Sequence, residues 1–165
     1  MKKISDKMTD GLNKQITAEF ESAYLYLAMA GYLQAQGFSG MAQWFRAQAD
    51  EEKRHALKIN DFMLKRDLTP DLGDIRHPVT DWKDITGVFD DAYRHECRIS
   101  HMIYDLVAQG MEDGDFAGLS FLQWFVDEQV EEELTALGWL EKIRFSAGMP
   151  AGLMLLDSQM AERSC

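Results

Sequence analysis

Residues 67–83 read Asp67-Leu68-Thr69-Pro70-Asp71-Leu72-Gly73-Asp74-Ile75-Arg76-His77-Pro78-Val79-Thr80-Asp81-Trp82-Lys83. Two of the chain's three prolines fall here, at Pro70 and Pro78, and the third is Pro150. Proline lacks an amide donor and clashes with the preceding turn, so the stretch reads as a connection. The proline-free stretches on either side, 1–69 and 79–149, leave room for long helices. Fully extended, these 17 residues reach about 56 Å, whereas a helix of 27 residues is about 40 Å long. The connection can therefore run the whole length of a helical bundle.

The helices are bounded by their caps. Ser5 or Asp6 is expected to cap a first helix ending near Gln36, with Gly37 just beyond. Ser39 would cap a second, running to about Arg66. A third starts near Asp84 and ends near Asp113-Gly114; Asp115 would cap a fourth, ending near Ser146. Leu153-Met154-Leu155-Leu156 reads as part of a short fifth helix at about 150–162. No strand-like alternation appears. Short links make helices 1 and 2 antiparallel, and likewise 3 and 4. The expectation is an all-α single domain over 1–165. It is a four-helix bundle (about 5–146) with one long crossover between helices 2 and 3, plus the short C-terminal helix.

The 165 residues carry 17 Lys+Arg against 28 Asp+Glu, a formal charge of −11. That balance speaks against nucleic acid as a partner, because a phosphate backbone needs a basic face. Two cysteines, Cys97 and Cys165, are too few for a disulfide scaffold. No apolar run follows Met1-Lys2-Lys3, and none is long enough to span a membrane. A reduced, cytoplasmic protein is expected.

Each long helix carries an apolar seam at spacings of three and four. The seams are Leu12, Ile16, Glu19, Ala23, Tyr26, Ala30, Leu33; Met41, Phe45, Gln48, Glu52, His55, Ile59, Phe62; Phe89, Tyr93, Glu96, Ser100, Ile103, Val107; and Leu122, Phe125, Gln129, Glu132, Ala136, Trp139, Ile143. Every seam holds an acid where an apolar residue belongs. Glu19, Glu52, Glu96 and Glu132 also sit near the midpoints of their helices, so the bundle brings them to one level. Four bare carboxylates in a core are prohibitively unfavourable, and two divalent cations would neutralise them.

Glu52-Lys53-Arg54-His55 places a carboxylate and an imidazole on one helical face. Carboxylate and imidazole without thiolate suit iron or manganese. A twin E-x-x-H would be symmetric, but the fourth helix has Gln129-Val130-Glu131-Glu132 instead. One metal would take Glu19, Glu52 and His55; the other would take Glu52, Glu96 and Glu132. Taken alone, an E-x-x-H or an acidic triplet such as Glu131-Glu132-Glu133 is usually a solvated face. The coincidence of four acids at one height outweighs that reading. Tyr26 reads as a core tyrosine beside the carboxylates, with a redox role as the alternative. His95 and His101 fall off the third seam and are expected at the surface; Cys97 reads as a packed thiol.

These residues resemble bacterial non-haem ferritin, a ferritin-like di-iron family. The resemblance rests on Leu12-Asn13-Lys14-Gln15, Glu19 and Tyr26; Glu51-Glu52-Lys53-Arg54-His55; and Tyr93-Arg94-His95-Glu96. It continues through Phe121-Leu122-Gln123-Trp124, Glu128-Gln129-Val130-Glu131-Glu132 and Gly152-Leu153-Met154-Leu155-Leu156-Asp157. It implies ferroxidase activity and iron storage in a hollow homo-oligomeric shell of twenty-four chains, with Fe(II) and dioxygen or hydrogen peroxide as reactants. Glu19, Glu52 and His55 match the first iron position; Glu52, Glu96 and Glu132 match the second, with Gln129 beside the pair. Glu51, Glu128 and Glu131, sharing Glu132, match a third iron site. Tyr26 and Trp124 match aromatic neighbours. Lys53 after Glu52 and the Q-x-x-E in helix 4 depart from the haem-binding sister group, so no haem is expected.

A rubrerythrin-type di-iron oxidase is the competing enzyme reading, but the chain has no CxxC module. A metal-free scaffold and a DNA-protecting mini-ferritin are the others; the acidic balance argues against the second. Apolar residues off the seams, Leu25, Leu27, Trp44, Leu72, Ile75 and Trp82, call for a partner chain.

Overall fold

The computed structural model describes residues 4–162. Met1-Lys2-Lys3 and Cys165 lie outside the described residues. The elements are α1 (Asp6–Ala35), α2 (Ser39–Lys65), α3 (Ile85–Asp113), α4 (Phe116–Ser146) and α5 (Pro150–Ala161), with no strand among the described residues. α1 packs with α2 and α3 with α4, forming two antiparallel hairpins, and α5 lies mainly on α2.

The connection of residues 66–84 runs up α1. The amides of Asp71, Gly73 and Arg76 donate in turn to side-chain oxygens of Asn13 (3.0 Å), Thr17 (3.2 Å) and Glu21 (3.3 Å). Those acceptors are spaced four apart, on one face of the helix. The Trp82 ring then meets Tyr32, centroids 5.4 Å apart, near the far end of α1. The connection thus returns the chain to the other end, as its length allows, and α3 runs parallel to α2.

The helix ends follow their local chemistry. Ser5 caps α1 by accepting from the Met8 amide at 3.1 Å, and Asp84 caps α3 by accepting from Gly87 at 2.9 Å. Gly37 takes φ 89° after α1, a region open to glycine without steric strain. Two expected caps differ. Ser39 is already helical, and α2's buried first-turn amide at Met41 donates to Asp157 Oδ1 of α5 at 2.8 Å. Asp115 precedes α4 but makes no capping bond; its carboxylate holds the Arg66 guanidinium through two contacts, 3.1 and 3.2 Å.

The apolar core is cut in two. One cluster joins Tyr26, Leu33, Phe45, Phe89, Leu140 and Ile143; the other joins Leu12, Ile16, Ile59, Ile99, Ile103 and Phe125. Between them lies a buried polar layer containing Glu19, Ser22, Glu52, His55, His95, Glu96, Gln129 and Glu132. His95 is therefore inside, against expectation, whereas His101 is exposed. At the same level Ala23 and Tyr93 are half-buried, and Ser22 and His95 occupy the interior beside them. Of the surplus apolar residues, Trp44 and Trp82 are buried in this chain's own core, together with Leu156 and Met160 of α5. Leu27, Leu72 and Ile75 remain exposed.

Candidate metal centre

The polar layer is built from both hairpins. From the first, Glu19 on α1 and Glu52 and His55 on α2 converge, with one ligand atom from each lying within 4.8 Å of the others. Glu19 and Glu52 are each 1% exposed. Glu19 Oε1 accepts from Gln15 Nε2 at 2.8 Å. Glu19 Oε2, Glu52 Oε1 and His55 Nδ1 have no hydrogen-bond partner. His55 Nδ1 lies 3.6 Å from the other Glu52 oxygen, beyond hydrogen-bond length, and buried polar atoms left this way are unfavourable unless protons or a cation satisfy them.

The second hairpin supplies Glu96 on α3 and Gln129 and Glu132 on α4. The Tyr26 hydroxyl donates to Glu96 Oε1. Gln129 Nε2 donates to Glu96 Oε2 at 3.1 Å and to Ser100 Oγ at 3.3 Å. Glu132 Oε2 accepts from Gln48 Nε2 at 2.9 Å. These two carboxylates therefore face neutral donors and are not in the group that converges within 4.8 Å, though their charges act on Glu52.

Protonation follows from burial. Desolvation, reinforced by the charge of Glu52, holds the Glu19 carboxyl well above its usual range. Desolvation and then Glu96 do the same to Glu52. Burial also raises Glu96, against the pull of its Tyr26 and Gln129 donors. Burial and the Glu96 charge push the Tyr26 phenol well above its ordinary value. The layer favours protons or bound cations over bare charge.

Beside it, Glu51, His55 and Glu128 form a second group within 4.8 Å. Glu51 and Glu128 are half-buried; Glu131 is exposed and belongs to neither group. The Trp124 ring stands edge-on to His55, centroids 5.3 Å apart, with Lys58 Nζ 3.2 Å from its centre.

A model of the ferritin-like domain matches residues 9–146. The chain belongs to the ferritin family. A bacterial non-haem ferritin of Bacteroides fragilis is 38% identical over 160 residues, covering 97% of this chain and 99% of its own. Another from Staphylococcus saprophyticus is 34% identical, with 98% and 96% covered. Among solved structures, an open-pore ferritin from the archaeon Archaeoglobus fulgidus is 40% identical, with a TM-score of 0.97 over 99% of this chain and 100% of that one. A closed form engineered from the A. fulgidus ferritin is 42% identical, with a TM-score of 0.95 over 98% of each chain.

Within this ferritin the site also holds residues that seam reading passed over. Gln15 stands four before Glu19 and is fully buried; that spacing places its amide over the acid and was a usable signal. Ser22 and His95 carry no such signal. Their hydrogen bond, 2.7 Å between Oγ and Nε2, joins α1 to α3.

Proposed function

We propose that this ferritin stores iron and oxidises it at a two-metal centre within each chain. Glu19, Glu52 and His55 bind one Fe(II), and Glu52, Glu96 and Glu132 a second, with Glu52 bridging and Gln129 and Tyr26 orienting Glu96. The observation that carries this reading is the convergence of buried Glu19, Glu52 and His55, whose ligand atoms lie within 4.8 Å of one another while each residue keeps a buried polar atom without a hydrogen bond. Hard anionic oxygen ligands favour ferric over ferrous iron and so assist oxidation. Each ferrous ion gives up one electron. Dioxygen takes two electrons and two protons to become hydrogen peroxide; peroxide as oxidant takes two electrons and two protons to become water.

Glu51 and Glu128, with Glu131 and the shared Glu132, receive a third iron on its way to the cavity. The ferric product collects as mineral inside a homo-oligomeric shell of twenty-four chains in the cytoplasm. The exposed Leu27, Leu72 and Ile75 suit contacts between chains. No haem is required.

The test is aerobic addition of excess Fe(II) to metal-free protein, followed by gel filtration and iron analysis. Retention far above the roughly two ions a di-iron bundle holds, formed much more slowly by a Glu52→Ala, His55→Ala variant, is the expected result. Retention stopping near that number would reduce the protein to a di-iron oxidase. No binding would return the buried acids to a structural role.

A further inference from the structure

The two metal positions proposed above do not draw on the fold equally. Glu19, Glu52 and His55 all belong to the α1–α2 hairpin, so folding of that hairpin assembles them. The second position needs Glu96 and Glu132 from the α3–α4 hairpin to lie at the right distance from Glu52. That distance depends on how the hairpins are held together at this level.

Two hydrogen bonds cross here through a candidate ligand, Tyr26 to Glu96 and Gln48 to Glu132. A carboxylate that turns toward a cation must weaken or re-aim such a bond. Ser22–His95 crosses at the same level and uses no candidate ligand. Its direction is fixed. The Arg98 guanidinium only donates, so His95 Nδ1, 3.2 Å from it, is the acceptor. Nε2 then carries the hydrogen and donates to Ser22 Oγ at 2.7 Å, and Ser22 donates onward to the Ala18 carbonyl at 3.0 Å. Along the chain Arg98, His95, Ser22, Ala18 every donor meets one acceptor. The chain stands between the ligand layers: Ser22 follows Glu19 by one turn, and His95 precedes Glu96. The His95 ring also packs edge-on against Tyr26, centroids 5.9 Å apart and planes at 71°.

We propose that Ser22 and His95, with Arg98 behind them, are positioning residues that fix the spacing between the two hairpins and so determine whether the second metal position fills. This rests on the two-metal reading of the site. The bond survives the movement of every candidate ligand, so it holds the half-sites in register as ions arrive and leave.

The experiment is anaerobic calorimetric and optical titration of metal-free protein with Co(II), which reads binding without iron oxidation. A Glu128→Gln background removes the neighbouring group. The parent should take up two ions per chain in separable steps. In His95→Leu and in Ser22→Ala the first step should be unchanged and the second weaker by about tenfold or more, the range expected when a supporting hydrogen bond is lost. His95→Gln should restore the second step, because its amide can accept from Arg98 and donate to Ser22. Both steps weakening together, neither changing, or Gln failing to rescue overturns the proposal while leaving the two-metal reading intact. A parent protein that takes up no such pair overturns that reading, and this one with it. Should His95→Leu fail to fold, Ser22→Ala and His95→Gln carry the test.

Discussion

The Ser22 hydroxyl of α1 and the His95 imidazole of α3 meet at 2.7 Å inside the polar layer that divides the core. Burial, with the Arg98 charge behind it, pulls the imidazole from 6.5 down to about 3. The fold thus keeps His95 neutral where an unfolded chain would protonate it. The contribution to stability is complete above pH 6.5 and is lost as pH falls through this window toward 3. The slope for one proton approaches about 1.4 kcal/mol per pH unit. Urea midpoints of metal-free protein at falling pH should decline more steeply for the parent than for His95→Gln. Parallel declines would assign the acid sensitivity elsewhere.

The buried acids act with the opposite sign. Glu19 and Glu52 are raised well above the ordinary 4.5, chiefly by desolvation. The folded state retains protons there that the unfolded chain releases. Their contribution is fullest below pH 4.5 and is lost as pH rises through the elevated values. In metal-free protein at pH 8, Glu52→Gln should therefore raise the unfolding midpoint, since a neutral amide replaces a carboxyl whose ionised form burial disfavours. Added divalent cation should stabilise the parent strongly and the variant little; at a hundredfold excess over Kd one site contributes about 2.7 kcal/mol. A destabilised metal-free Glu52→Gln would mean the carboxylate is already compensated.

What was legible in the sequence was what broke a pattern. Prolines at 70 and 78 mark the crossover, and Glu19, Glu52, Glu96 and Glu132 stand out because an acid in an apolar seam is conspicuous. The seam puts His95 at the surface, and the structure buries it, because a seam drawn as one residue per step is narrower than the face a bundle helix buries. Where two helices cross, neighbours such as His95 and Glu96 can both be inside. The capping of α2 by Asp157 escaped notice for another reason. Its donor, Met41, lies 116 residues away, and no local signal spans that separation. Asp115 had the right identity for a cap, but Arg66 claims its carboxylate.

That Arg66–Asp115 pair ties the end of α2 to the start of α4, with side chains only 5% and 6% exposed. Asp115→Ala should destabilise the chain by about 3–5 kcal/mol, because it removes a counter-charge that holds a buried guanidinium through two hydrogen bonds. Replacing both partners with apolar residues, Arg66→Met with Asp115→Leu, should cost less than the single change. Denaturant unfolding of the three proteins decides this. A double variant as damaged as Asp115→Ala would show that packing, rather than stranded charge, governs the junction.

The fifth helix depends on a contact that tolerates no side chain. A Cβ added at Gly40 would lie 1.8 Å from the Asp157 carbonyl oxygen, which is backbone and cannot turn aside. Asp157 also caps α2 through the Met41 amide at 2.8 Å. Gly40→Ala should therefore displace α5 and uncover Trp44, Leu156 and Met160. Asp157→Ala should leave α5 docked and cost about 1 kcal/mol, the usual loss for a missing cap. Limited proteolysis within residues 147–161 separates the two: rapid cleavage is expected in Gly40→Ala and near-parental protection in Asp157→Ala. Full protection of Gly40→Ala would mean that α2 and α5 can slide apart without undocking. The close approach would then be incidental to how the C-terminal helix is held.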